Sequence, residues 1–306
     1  MIINGVEIRD SFAEAFPMVG TRLIITADTP DWAMTAARVT TGFATSVIGC
    51  GCEAGVERVI APEDTPDGRP GVAILIFAMD FKGLKTVVPL RLGQCILTCP
   101  TTACYAGVEG GKRVPLAKTI RYFADGYQIS KKFAGADGRA ERFWRLPVMD
   151  GEFVCDEDTG SVEGVGGGNI LILARSRPQA LYAAEQAVKA MSAVEGVILP
   201  FPGGVVRSGS KVGSKYKALF ASSNDAYCPT LRGVAASALP DEVGSVMEIV
   251  IDGVSFDAVA AATKVGIEAV CAVGGAGGVV AIDAGNYGGN LGPFHFKLRD
   301  IMGGGA

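Results

Sequence analysis

The run Asn169-Ile170-Leu171-Ile172-Leu173-Ala174, with the Ser176-Arg177-Pro178 that follows it, sets out the architecture of this 306-residue chain. A short apolar run bounded by polar residues reads as a buried strand. Ser176 with a proline two positions on reads as a helix start, because a first-turn proline lacks only an N–H that has no helical partner anyway. The spacing predicts a helix with Leu181, Ala184, Val188, Met191 and Val194 on one face and Gly196 at its end. The same order occurs earlier in the chain. Residues 22–26 form a short apolar strand, Thr29-Pro30-Asp31 supplies a cap, a first-turn proline and an acid, and Gly42 ends a helix whose apolar face is Ala33, Ala36 and Ala37. A small-residue loop follows each helix: Cys50-Gly51-Cys52-Glu53-Ala54-Gly55 in one half, Pro200-Phe201-Pro202-Gly203-Gly204 in the other.

The second part of each repeat also matches. Residues 71–79 read as an apolar strand leading to a helix through Leu84, Val87, Val88 and Leu92, which Pro89 should kink or shorten. Residues 246–251 lead to a helix through Val259, Ala262, Val265, Gly266 and Ala269. Each half closes on an apolar strand with a glycine- or threonine-rich loop, residues 96–102 and 279–289. Residues 105–160, with turns at Asp125-Gly126, Asp137-Gly138 and Asp150-Gly151, read as added β-structure. The expectation is an α/β (α+β) protein of two ferredoxin-like, split βαβ lobes related by an internal repeat, with a β-rich insertion between them. Residues 1–150 would form the first lobe and its extension, residues 151–306 the second.

One carboxylate does not suit this pattern. In Ser245-Val246-Met247-Glu248-Ile249-Val250-Ile251, alternation places Glu248 on the same face as Val246 and Val250. Desolvating an ionised carboxylate costs several kcal/mol unless it is paired. Either Glu248 meets a Lys or Arg at a strand end, or its pKa rises and it becomes a proton donor and acceptor near neutrality. The equivalent strand of the first repeat, Val72-Ala73-Ile74-Leu75-Ile76-Phe77, carries no charge, so the fold itself does not need one there.

The bulk numbers narrow the function. Apolar residues make up 49% and charged residues 20%, with mean hydropathy +0.32, which suggests surface buried against other subunits. The N-terminus has no basic region followed by a long apolar run, and the charge-free stretches are too short and glycine-rich for a bilayer span; a cytoplasmic protein is expected. A net charge of −4 argues against general nucleic-acid binding. Residues 112–145 nonetheless hold nine Lys and Arg against three acids, either a solvated face or a dock for an acidic substrate tail or partner subunit. The eight cysteines include no Cys-x2-Cys pair, and His295 is the only histidine. That removes His-rich metal sites and disfavours a Ser-His-Asp or Cys-His apparatus. A thiolate route through Cys50, Cys52 or Cys228 remains a rival, without a nearby histidine as base.

Two loop motifs fail. Gly164-x-Gly166-x-Gly168 precedes a strand instead of following one, and Ser208-Gly209-Ser210-Lys211-Val212-Gly213-Ser214-Lys215 has phosphate-loop residues in the wrong order. The latter can still serve anions through Lys211, Lys215 and backbone N–H groups, or be a simple connection. Phe201-Pro202-Gly203-Gly204 and Asn286-Tyr287-Gly288-Gly289 each combine a ring for stacking with glycines that admit a close ligand. Each alone is more often a tight turn. Together, in the repeat that carries Glu248, they suggest a pocket for a large flat ligand.

Eight blocks run in order along nearly the whole chain: Asn4-Gly5-Val6-Glu7-Ile8, Phe12-Ala13-Glu14-Ala15-Phe16, Thr41-Gly42-Phe43, Thr65-Pro66-Asp67-Gly68-Arg69-Pro70-Gly71, Phe201-Pro202-Gly203-Gly204, Ser210-Lys211-Val212-Gly213-Ser214-Lys215, Glu248-Ile249-Val250-Ile251 and Ala284-Gly285-Asn286-Tyr287-Gly288-Gly289. The chain thereby resembles the formylmethanofuran:tetrahydromethanopterin formyltransferase family. The resemblance implies a two-lobed α/β fold, a homotetramer built from dimers and an active site in a cleft between subunits. It implies no tightly bound cofactor, with tetrahydromethanopterin and a methanofuran or methylofuran as carrier substrates. The family's proposed catalytic glutamate falls on Glu248; Phe201, Pro202, Gly203, Gly204, Ser208, Ser210, Lys211, Asn286 and Tyr287 fall in its substrate-cleft segments. Gly49-Cys50-Gly51-Cys52 departs from the Met-Cys-Pro-Ala common in the family. That departure, the more basic residues 105–145 and the alanine-rich residues 231–240 point toward the formyltransferase/hydrolase complex of methylotrophic bacteria, with hydrolase subunits as partners. The competing expectation is a non-catalytic ligand-binding or scaffold subunit.

Overall fold

The computed structural model describes residues 1–42, 44, 50–134 and 140–303. Residues 43 and 49 of the motifs above and the Asp137-Gly138 turn lie outside them. Strands and helices form a mixed α/β protein of two compact units. One holds the described residues between Met18 and Glu163, and the other joins Met1–Pro17 to the described residues from Gly164 on.

In the first unit, the strand Phe12–Thr26 (from Met18 on) pairs antiparallel with Gly71–Ala78 on one side and Ala103–Ala106 on the other, while Glu53–Ile60 pairs with the outer edge of Gly71–Ala78. The helix Pro30–Thr41 starts as its sequence directs: the Trp32 N–H donates to the Thr29 hydroxyl at 3.3 Å, and Gly42 closes the last turn onto the Arg38 carbonyl at 2.8 Å. The loop expected over residues 50–55 is strand from Glu53 on, where Ala54 and Gly55 lie opposite Ile76 and Leu75. Phe81–Arg91 runs through Pro89 and widens into a π-helical turn at Leu92–Ile96, where the Leu97 N–H donates to the Leu92 carbonyl at 2.9 Å. The strand expected over 96–102 is therefore absent, and the chain becomes extended only at Ala103. Leu92 and Ile96, four apart and both buried, continue the helical face. Beyond it, Ile129–Ala134, Ala140–Val148 and Gly151–Asp156 pair in succession as the added β-structure.

The second unit repeats the pairing order. Val162–Ala174 lies between Val279–Asp283 and Ser245–Gly253, and Val197–Ile198 adds to the far side of Ser245–Gly253, all antiparallel. Met247, Ile249 and Ile251 face the helices Arg177–Met191 and Phe256–Val273, meeting Ala183, Ala184, Ala187, Met191, Val259 and Ile267. The buried stripe of Arg177–Met191 is made of alanines, while the expected core residue Leu181 is 42% exposed. Small side chains let the two helices approach closely, and a Cβ at Gly266 would run into Met191. The helix stops at Met191, ahead of Val194 and Gly196. The other sheet face carries a smaller cluster of Leu171, Leu173, Leu239, Val243 and Ala281 against Val246. Alternation puts Glu248 on that second face.

Candidate active site

Glu248 lies in the middle of Ser245–Gly253, opposite Leu171. Its strand-pair neighbour is apolar, and among the described residues its carboxylate has no ion pair or hydrogen bond, so no Lys or Arg meets it there. Burial pushes its pKa up to about 7 although the side chain keeps some exposure. A carboxyl in that condition exchanges a proton at neutral pH without help from a metal or a second acid.

Backbone pairing brings the glycine loop to it. The Val206 N–H donates to the Glu248 carbonyl at 2.7 Å, and the Glu248 N–H donates back to Val206 at 2.9 Å. This bridge follows directly on Pro202–Gly204, a 3-10 turn in which Gly203 and Gly204 have φ of 65° and 77°, conformations that only glycine adopts cheaply. A Cβ on Gly204 would also press on Val188. Phe201 is half-buried, and Pro202 and Gly203 are exposed.

The second loop joins them through Tyr287. Its pKa is raised, first by burial and then by the negative charges of Glu248 and Glu14. The hydroxyl donates to the Ser210 carbonyl at 3.4 Å. Asn286 is exposed and shapes the loop, donating to the Phe12 carbonyl at 3.3 Å and accepting from the Gly288 N–H at 3.2 Å. Glu248, Val206, the Ser210 backbone and Tyr287 thus come together; Ser208 is exposed with no partner in view among the described residues. Lys211 does not project a free cation, because its ammonium holds both oxygens of Asp225 at 2.6 and 2.7 Å. The expectation that it serves an anion therefore loses its charge.

Sequence reasoning quoted Glu14 only within a motif and missed its place. Glu14 is 1% exposed, and its carboxylate accepts the backbone N–H groups of Tyr287 (2.8 Å), Gly289 (3.1 Å), Gly292 (3.0 Å) and Leu291. Burial pushes this carboxyl up, but the four donors outweigh it and hold it below the usual carboxylate range. The signal was legible: in Phe12-Ala13-Glu14-Ala15-Phe16 a carboxylate shares a strand face with two aromatics, the same anomaly as Glu248. His295 lies opposite Glu14 in the strand Phe294–Lys297 and packs its ring against Phe12, centroids 4.8 Å apart. That is a structural role.

Two of the three candidate thiols are engaged by their surroundings. Burial pushes Cys52 up despite Arg91 nearby, and Cys228 points its sulfur at the Asn224 carbonyl, 3.3 Å away. In the other unit four arginines of the basic segment pair with acids that follow it: Arg113 with Asp158, Arg121 and Arg142 with Glu157, Arg145 with Glu152. Among the described residues no His, Cys, Asp and Glu cluster is arranged to hold a metal, and no helix is long and apolar enough to cross a membrane.

Fold and site together define an α/β protein whose candidate centre is one proton-holding carboxyl framed by two glycine loops. Residues 1–148 match the family model of formylmethanofuran-tetrahydromethanopterin formyltransferase, and residues 151–301 match that of the FTR proximal lobe. A formylmethanofuran–tetrahydromethanopterin formyltransferase of Methylococcus capsulatus is 60% identical over 99% of this chain and 100% of its own. Among solved structures, the formyltransferase/hydrolase complex from Methylorubrum extorquens, in complex with methylofuran, contains a chain that superposes with a TM-score of 0.95 at 54% identity, covering 99% of this chain and 98% of that one. The formyltransferase from Methanosarcina barkeri superposes with a TM-score of 0.91 at 45% identity, over 98% of this chain and 100% of its own. The chain belongs to the formylmethanofuran–tetrahydromethanopterin formyltransferase family, and with it to the acyltransferases.

Proposed function

We propose that this chain moves a formyl group between the aminomethyl nitrogen of a methanofuran or methylofuran and N5 of tetrahydromethanopterin, with Glu248 as the proton carrier. The observation that carries the assignment of Glu248 is its carboxyl, unpaired among the described residues and raised to about 7 by burial beside the two glycine loops. One amine attacks the formamide carbon of the other carrier. The new C–N bond gives a tetrahedral oxyanion, which collapses by breaking the C–N bond to the carrier that brought the formyl group. Glu248 in its neutral form donates a proton to the leaving nitrogen, and its carboxylate takes the proton released by the attacking amine. N–H groups of the 200–204 and 286–289 loops are candidate donors to the oxyanion, and Phe201 and Tyr287 are candidate stacking surfaces. Phe201, Pro202, Gly203, Gly204, Ser208, Ser210, Asn286 and Tyr287 form the proposed substrate surface, with Lys211 set back in its ion pair. Holding two large carriers in register is worth several kcal/mol of barrier by itself.

The repeated strand order supports reading both units as ferredoxin-like lobes related by an internal repeat. The boundary between the two family models, at 148 and 151, supports lobes of 1–150 and 151–306, although the N-terminal seventeen residues pack with the second unit. We assign the protein to the cytoplasm, as a homotetramer of paired dimers without a tightly bound cofactor. Kinship with the methylofuran-bound complex supports hydrolase subunits as partners. The test is to mix the purified chain with formyl-tetrahydromethanopterin and a furan-amine carrier and to follow the formyl-pterin absorbance. Carrier-dependent loss, abolished in Glu248→Gln with binding retained, is the expected result. No loss from a correctly assembled oligomer would favour a scaffold instead.

A further inference from the structure

Glu14 is an anion buried in the second unit with no cation to balance it. Among the described residues it forms no ion pair; four backbone N–H groups of residues 287–292 stand in for a countercharge. Successive N–H groups converging on one carboxylate make a nest, ordinarily the arrangement a protein offers to a bound anion. Here the anion is supplied from the chain's own strand Phe12–Thr26, and the loop is wrapped onto it. Two further bonds fasten the loop to the same strand: the Glu14 N–H donates to the Gly285 carbonyl at 3.4 Å, and Asn286 donates to the Phe12 carbonyl. The wrapped loop carries Tyr287, whose hydroxyl donates to the carbonyl of Ser210, four residues beyond the Val206 that bridges Glu248.

We propose that Glu14 is a positioning residue, an obligatorily ionised carboxylate whose four backbone bonds fix residues 287–292 and so hold Tyr287 beside Glu248. The proposal rests on Glu248 as proton carrier and deepens that reading. A neutral side chain cannot replace Glu14. Glutamine would offer one carbonyl to four N–H groups and turn an NH2 donor toward two of them, a repulsive contact in a buried place. Freed, the loop would admit water near Glu248, and relief of the burial that raises its pKa makes Glu248 easier to ionise. Among the described residues, the groups that face Glu248 are apolar Leu171 across the strand pair, then Asp283 on the next strand with its partners Arg9 and Tyr227; Val206 meets Glu248 through its backbone, and Tyr287 comes from the loop that Glu14 holds.

The experiment uses the full chain in its native assembly. Amide hydrogen exchange of residues 286–292 reads the loop, since four of those amides are the donors to Glu14. The pH dependence of kcat/KM reads Glu248. In Glu14→Gln, exchange at these amides should rise by about tenfold or more, because charge-assisted bonds are lost. Protection of residues 245–253 should persist, and the kinetic limb near pH 7 should move toward acid by about one pH unit. Glu14→Asp, one carbon too short to serve all four donors, should fall between the parent and Glu14→Gln, and it carries the same test if the glutamine variant does not fold. Combining Glu14→Gln with Tyr287→Phe should move the limb little further than Glu14→Gln alone. Retained loop protection overturns the proposal; so does lost protection with an unmoved limb, which would make Glu14 merely structural, and so does full additivity with Tyr287→Phe. Undiminished turnover in Glu248→Gln would instead overturn the underlying reading of Glu248, and the exchange data would still report what Glu14 does to its loop.

Discussion

Replacing Glu248 by glutamine keeps the shape of the side chain and removes its titration, so stability against pH measures what burial costs at this position. The carboxyl has a pKa of about 7 in the native protein against 4.5 when exposed. A folded value above the unfolded one means that the native state holds the proton more tightly. The contribution to stability is fully present below pH 4.5 and is lost as pH rises through 7. At about 1.4 kcal/mol per pH unit, the difference between 4.5 and 7 makes the ionised side chain cost about 3 kcal/mol above neutrality. Glu248→Gln should therefore match the parent near pH 4.5 and exceed its stability by up to about 3 kcal/mol at pH 8, less if water reaches the exposed edge of the carboxyl. Urea unfolding at pH 5 and pH 8, at one protein concentration so that assembly contributes equally, provides the measurement. A variant more stable and nearly inactive is the signature of a residue kept for chemistry at a cost in folding. Equal urea midpoints for variant and parent across that range would refute the reasoning, because Glu248 would then ionise as an ordinary surface acid.

Other expectations follow from the packing. In the first unit Arg22 grips buried Glu57 through two bonds of 2.5 and 2.6 Å, so Arg22→Met should cost about 3–5 kcal/mol by stranding the carboxylate, and Arg22→Met with Glu57→Leu should recover most of it in thermal or urea unfolding. Gly204→Ala forces an unfavourable φ and a contact with Val188, and it should destabilise by about 1–3 kcal/mol while raising KM for the carriers more than it lowers kcat. Cys50→Ala, Cys52→Ala and Cys228→Ala should each leave turnover within about twofold in a steady-state assay; collapse of activity in any one would revive a thiolate route.

Much of the architecture is legible in the sequence because its causes are local. Thr29-Pro30 and Ser176-Arg177-Pro178 mark helix starts through capping and proline geometry, and the apolar runs at 71–78 and 169–174 mark strands buried by their neighbours. The misreadings have equally local roots. Residues 96–102 look extended because apolar content alone does not separate a strand from the end of a helix, and the buried pair Leu92 and Ile96 resolves it only once packed. Leu181 looks like core by size, whereas the buried stripe of its helix is Ala180, Ala183, Ala184 and Ala187, closed by Met191.

Sequence alone determined the repeat, the anomaly of Glu248 and the candidate glycine loops, since each depends on which residue types stand at which spacing. Only the tertiary structure decided what those residues meet. It set Asp225 against the Lys211 ammonium, and it joined Val206 to Glu248 across 42 positions of chain. It also showed Glu14 holding a loop more than 270 positions away. Such partners are fixed by the cost of leaving a buried charge or N–H group unsatisfied, and that cost exists only once the sheet has closed around them.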